Sequence, residues 1–256
     1  MDIAKLKDEL EPYFDNLDHI VNGIIQQKVH GDQFKLFDAC RFKIKSIWYI
    51  QKRIEELDNQ YKNFLLLCID KNAIAELSLI KNKDWGAEYF FYFPFFEAIE
   101  FENLLAQGKA CLDSFAKVIG SIYSPGGLPK NLKGLIRILE SKSGDPKVDK
   151  ILKFIHHEHR LRGVVIEPLR REQKSLRDLI IHYGRADIFF SIRRDEEDKY
   201  NLSQGALVNM KNPHIAKLPN YRVSEIAVKV WFLLLGIIEN CFKIQFEDNS
   251  ETPFAA

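Results

Sequence analysis

Pro168-Leu169-Arg170-Arg171-Glu172-Gln173-Lys174-Ser175-Leu176-Arg177-Asp178-Leu179-Ile180-Ile181-His182-Tyr183-Gly184 is the segment on which the reading of this 256-residue chain turns. Pro168 has the fixed φ of a first helical residue, and Gly184 stands where a helix would end, so Leu169 to Tyr183 reads as a bounded helix. Leu176, Leu179, Ile180 and Tyr183 fall at i, i+3, i+4 and i+7 and define its buried stripe. Asp178 and His182, four positions apart, lie one above the other on another face, close enough for the carboxylate to orient the imidazole. Arg177 is set roughly 140° around and about 7.5 Å along the axis from His182, flanking the pair. His182 falls in the last turn, where the helix dipole favours its protonated form and suits it to work near neutral pH.

Positive charge gathers around this segment. Arg170, Arg171 and Lys174 lead towards Arg177, and Arg185 follows the helix. The window from Lys150 to Arg185 holds nine Lys or Arg against four Asp or Glu, a net of +5, whereas the whole chain is +1 and the remainder therefore −4. That balance excludes a surface built throughout for nucleic acid, and it leaves a local site for a phosphate backbone.

The same helical period runs through most of the chain, which makes it mainly all-α. Ile3, Leu6, Leu10, Phe14, Leu17, Ile20, Val21, Ile24 and Ile25 recur at three and four from Asp2 to about Lys28, with Pro12 placed to kink or split that helix. His30-Gly31-Asp32 is a break. Phe37, Ile44, Trp48, Ile54, Leu57, Tyr61 and Leu65 then predict one very long helix, or two in line, from Phe34 to about Leu79. The first 95 residues thus read as a long helical hairpin, an extension to a second domain over 96–256. Between them, seven aromatics follow Trp85 in the stretch to Phe96, which is the best candidate boundary and reads as a buried connector or else a partner-binding or base-stacking surface.

Beyond the boundary, further helices are expected over Glu97 to Tyr123, Asn131 to Ser141, Val148 to Arg160 and, with Ser224 as N-cap, Ser224 to Phe246. A small β-hairpin is expected as an insertion over 186–208, from the strand-like Ile188-Phe189-Phe190-Ser191-Ile192 and a charged turn after it. Cys40, Cys68, Cys111 and Cys241 are widely spaced among apolar residues and read as buried free thiols. No apolar run reaches the roughly 20 residues of a bilayer span, and the charged first ten residues carry no signal core. These absences make a cytoplasmic, non-membrane protein the default expectation.

The residues Arg177-Asp178-Leu179-Ile180-Ile181-His182 resemble the signature of the HEPN superfamily, in which Arg, a polar residue and three further residues precede His. The resemblance covers about Glu97 to Phe246 and implies a HEPN-like helical bundle. It implies a metal-independent endoribonuclease, a toxin or antiphage effector, in which a ribose 2′-hydroxyl attacks the adjacent phosphate. By that resemblance His182 does general acid/base work, Arg177 holds the phosphate and Asp178 orients His182, with Arg170, Arg171, Lys174 and Arg185 binding RNA. It further implies a homodimer that brings two motifs together near Ile181, and an antitoxin or other defence-system protein as partner. The alternative, from another class, is a non-catalytic HEPN-like module that binds a partner protein or nucleotide through the same face.

Other constellations carry less. His156-His157-Glu158-His159 has no second ligand cluster and reads as a basic helix end that assists RNA binding, so neither a metal nor a cofactor is expected. Lys109 and Asp113 either line the motif groove or pair on the surface. Gly126-Gly127 lacks the Lys-Ser/Thr sequel of a phosphate loop.

Overall fold

The computed structural model describes residues 12, 14, 15, 17–19, 32–70, 89–91, 95–124, 126–157, 184–194, 200–210 and 223–246. Most of them are helical. In chain order the elements are α1 (Asp32–Asp70), β1 (Tyr89–Phe91), α2 (Phe95–Tyr123), α3 (Leu132–Glu140), α4 (Pro146–His157), β2 (Gly184–Arg194), β3 (Tyr200–Met210) and α5 (Val223–Phe246). The chain divides into two compact units that interleave in sequence, and the division falls within α1, α2 and α5.

The first unit takes residues 1–45, 110–159 and 232–256. Its centre is aromatic: the Phe242 ring lies 5.3 Å from that of Phe37 and 6.1 Å from that of Phe115, and Phe246 meets Phe37 edge-on at 5.4 Å. All these rings are buried, and tilted and edge-on pairings suit their quadrupoles. Residues from both sides of the expected boundary at 95 therefore share one core. Phe14 and Leu17, in the helical residues before α1, are buried as well, and Asp18 accepts from Lys45 at 2.7 Å. The rest of the expected helix over 2–28 lies outside the described residues.

The short helices of this unit are set by their caps. Asn131, in extended backbone, accepts the Gly134 N–H on its side chain at 2.9 Å and starts α3. Gly144, at φ 103°, makes the left-handed turn after it. Asp145 then accepts the Lys147 N–H at 2.8 Å, and Pro146, which has no N–H, takes the first position of α4, where none is needed. Cys40, Cys111 and Cys241 are buried free thiols and Cys68 is half-buried. A hydrogen bond with Cys40, and burial after it, push the Cys111 thiol well above the ordinary range.

The second unit takes residues 46–109 and 160–231. Ile47, Trp48, Ile54 and Leu65 from α1, Phe101 and Leu104 from α2, and Val223, Ala227 and Val230 from α5 are buried. It also holds a three-stranded antiparallel sheet in the order β1-β2-β3. The hairpin expected over 186–208 is present and longer by two residues at each end, with Gly184 opposite Met210 and Arg194 opposite Tyr200. The aromatic stretch, expected as a connector, supplies a strand instead: Tyr89, Phe90 and Phe91 pair with Ile192, Ser191 and Phe190.

The register explains the hairpin. Even-numbered positions place Ala186, Ile188, Phe190 and Ile192 on one face with Leu202, Ala206, Val208 and Met210, and the odd-numbered positions place Arg185, Asp187 and Arg193 with Asn201 and Asn209 on the other. Apart from Gln204 and Arg194 among the even positions and Phe189 and Leu207 among the odd, the register alternates apolar with polar or small residues between the two faces.

Two glycines within helices differ in their surroundings. A Cβ at Gly120 of α2 would run into the ring of Pro129, which is stiff, whereas one at Gly236 of α5 meets nothing within 4 Å. Gly120→Ala is expected to lower the thermal midpoint, with overpacking of about 1–3 kcal/mol outweighing the gain in helix propensity. Gly236→Ala is expected to raise stability by about 0.5–1 kcal/mol, and calorimetry of the two variants checks the contrast.

Burial, and the Asp145 carboxylate after it, push the Tyr123 phenol up to about 12 from its ordinary 10. The folded state thus favours the neutral phenol, so this contribution to stability is whole below pH 10 and is lost as pH rises to 12. The ring is only partly buried, which reduces the effect. Thermal midpoints from pH 9 to 12 are expected to fall less in Tyr123→Phe than in the natural chain.

Candidate functional site

The residues assigned to chemistry, Arg177, Asp178 and His182, lie outside the described residues, as do Arg170, Arg171, Lys174 and Ile181 and the whole expected helix from Leu169 to Tyr183. The described chain ends at His157 before them and resumes at Gly184 after them. His182 is two residues before Gly184, the first residue of β2, so the motif segment leads directly into the sheet. Arg185 is the second residue of β2, opposite Asn209, on the face that also carries Asp187 and Arg193.

On the N-terminal side, α4 exposes Lys150, Lys153 and His156 at three-residue intervals, one solvent-facing row opposite the buried Val148, Ile151 and Ile155. On α3, Lys133 and Arg137 are likewise exposed at i, i+4. The basic window thus draws on both units, with Lys150 and Lys153 in the first and everything from Arg160 onwards in the second. His157 is the last residue of α4, and Glu158 and His159 lie outside the described residues. Among the described residues no group of three His, Cys, Asp or Glu side chains is placed to hold a metal ion. Lys109 and Asp113 are both half-buried on α2.

A second polar feature escaped the sequence reading. Along α1, Phe37, Cys40, Ile44, Ile47, Gln51, Ile54 and Asp58 succeed each other in alternating steps of three and four, and all are buried. Gln51 and Asp58 therefore occupy core positions of a seven-residue repeat, at 3% and 4% exposure. Gln51 donates to Glu55 at 3.2 Å. Asp58 accepts the Ser224 hydroxyl at 2.7 Å, from α5. Glu97, in the first turn of α2, is fully buried, and burial followed by that carboxylate raises the Tyr61 phenol above its ordinary value. The second unit thus contains buried carboxylates from α1 and α2 that counting apolar residues alone passes over. The signal was present: a repeat that continues through Gln51 and Asp58 predicts that these two face inwards.

Ser224 also corrects an expectation. It was expected as the N-cap of α5, but the helix begins at Val223, which places Ser224 inside the first turn with its hydroxyl turned to Asp58. A buried carboxylate that loses a donor bears its desolvation unrelieved. Ser224→Ala is expected to cost about 1–3 kcal/mol in urea unfolding, and Ser224→Thr, which keeps the hydroxyl, to recover most of it. No protein-family model, no curated protein and no solved structure matches this chain.

Proposed function

We propose that this chain is a metal-independent endoribonuclease of the HEPN type, a toxin or antiphage effector that acts as a homodimer. The observation that carries the reading is the run Arg177-Asp178-Leu179-Ile180-Ile181-His182 immediately before β2, in a chain that is mainly helical. The bounded apolar stripe of Leu176, Leu179, Ile180 and Tyr183 supports it, because a core stripe leaves Asp178 and His182 on another face. The net charge of +5 from Lys150 to Arg185 supports it as well, since a phosphate backbone is bound first by charge.

In this reading the 2′-hydroxyl of a bound nucleotide attacks the neighbouring phosphorus. A proton leaves the 2′-oxygen, the bond to the 5′-oxygen breaks, and that oxygen takes up a proton, leaving a 2′,3′-cyclic phosphate and a 5′-hydroxyl. His182 transfers protons, Arg177 stabilises the charge that develops on the phosphoryl oxygens, and Asp178 holds the imidazole. Arg170, Arg171, Lys174 and Arg185 bind the strand on either side. Ile181, apolar on a polar face, lies near the two-fold contact that completes the site. An antitoxin or another defence-system protein is the partner that holds such an activity in check. Among the described residues no helix is long and apolar enough to cross a membrane, and a cytoplasmic location fits an enzyme that meets RNA.

Purified protein in excess chelator is expected to cleave single-stranded RNA, and Arg177→Ala and His182→Ala each to lower the rate at least about 100-fold. Undiminished cleavage by both variants would exclude the site, and binding of RNA without any cleavage across diverse sequences would favour a non-catalytic module.

A further inference from the structure

The sheet has two edges of very different kinds. On one side β1 pairs with just Phe190, Ser191 and Ile192 of β2, whereas β3 is eleven residues long and pairs with β2 along its whole length. Among the described residues no strand pairs with its other side. Long edges in natural proteins are protected by Lys and other charges, by Pro or by bulges, because unpaired N–H and C=O groups invite another strand. Tyr200-Asn201-Leu202-Ser203-Gln204-Gly205-Ala206-Leu207-Val208-Asn209-Met210 contains no Lys, Arg, Asp, Glu or Pro.

We propose that the outer edge of β3, unpaired among the described residues, is the contact between two copies of this chain, β3 against β3, antiparallel about a two-fold axis through Gly205. The occupant is a second copy because the strand reads alike from its two ends. With Gly205 opposite itself, the outer register positions match, Asn201 with Asn209, Leu202 with Val208 and Tyr200 with Met210, while Ser203 with Leu207 and Gln204 with Ala206 beside the axis are unlike pairs. The pairing joins even-numbered positions to even-numbered ones, so the apolar and polar faces of the hairpin each continue across the contact. The product is a six-stranded sheet of ordinary size, with β1 outermost where it pairs with Phe190 to Ile192 of β2. A two-fold contact of this kind closes on itself and stops at the dimer. The contact near Ile181 would belong to the same dimer, about the same two-fold axis, and the β3 pairing rests on the sheet alone, whatever the chain does to RNA.

Light scattering at tens of micromolar is expected to give twice the 29.9 kDa of the chain. In the hairpin Asn201 stands opposite Arg193 and Asn209 opposite Arg185. Asn201→Glu with Asn209→Glu therefore suits the hairpin while setting like charges opposite one another across the dimer, and it is expected to weaken self-association about tenfold or more. Asn201→Glu with Asn209→Lys sets opposite charges there and is expected to restore the dimer, which only this register explains. As a reading independent of those variants, Gly205→Cys is expected to give a covalent dimer on oxidation, since that position faces itself. A natural chain that stays monomeric, a dimer that the double Glu variant leaves as tight as before, or a Gly205→Cys chain with no more covalent dimer than the natural one overturns the proposal.

Discussion

The buried seven-residue repeat of α1 is the constraint on which the rest of the described structure depends. A helix of 39 residues has too much apolar surface on one face to stand in water, and the alternation of three and four from Phe37 to Asp58 fixes which face that is. In the first unit Phe37 meets Phe242 and Phe246, and Cys40 meets Cys111. In the second unit Asp58 takes the hydroxyl of Ser224. Each partner comes from a helix far away in sequence, so one repeat organises contacts with α2 and α5. Asp58 adds selectivity, since a polar group in a core position is satisfied only when its particular partner stands opposite, whereas Gln51 is satisfied within α1 by Glu55. Sliding α1 along a neighbour would separate Asp58 from Ser224 as well as misplace the apolar residues.

What was legible in the sequence was what local periodicity and end signals determine. α2, α3 and α5 begin and end within two residues of where their stripes and caps place them, because Asn131, Ser124 and the run after Val223 act on their own neighbours. The hairpin was legible for the same reason: an alternating apolar run, a charged turn and a return are adjacent in the chain. The strand Tyr89–Phe91 was not. Its aromatic composition suits a strand or a packed connector equally, and the choice is made by Phe190, Ser191 and Ile192, about a hundred residues later. Interleaved units are hidden for a related reason. A composition change near residue 90 marks a change of local structure, while the grouping of 1–45 with 232–256 depends on contacts such as Phe37 with Phe242.

The candidate site was legible only as a pattern. Spacing alone predicts a helix with Asp178 over His182 and the apolar stripe apart from them, and the structure adds the strand β2 that begins at Gly184. Of the basic window, Lys150 and Lys153 stand on α4 and Arg185 on β2. For the ribonuclease reading, then, the weight falls on the residues nearest the motif, and the chemistry assigned to them makes one demand that no other nucleolytic route shares in this form. The attacking group must be the 2′-hydroxyl of the substrate itself.

The most direct measurement uses an RNA oligonucleotide with a known cleavage position and a single 2′-deoxy nucleotide on the 5′ side of that linkage. With metal ions chelated, the account predicts that cleavage at this linkage stops while cleavage at neighbouring ribonucleotides continues. Equal cleavage of the deoxy linkage would contradict it.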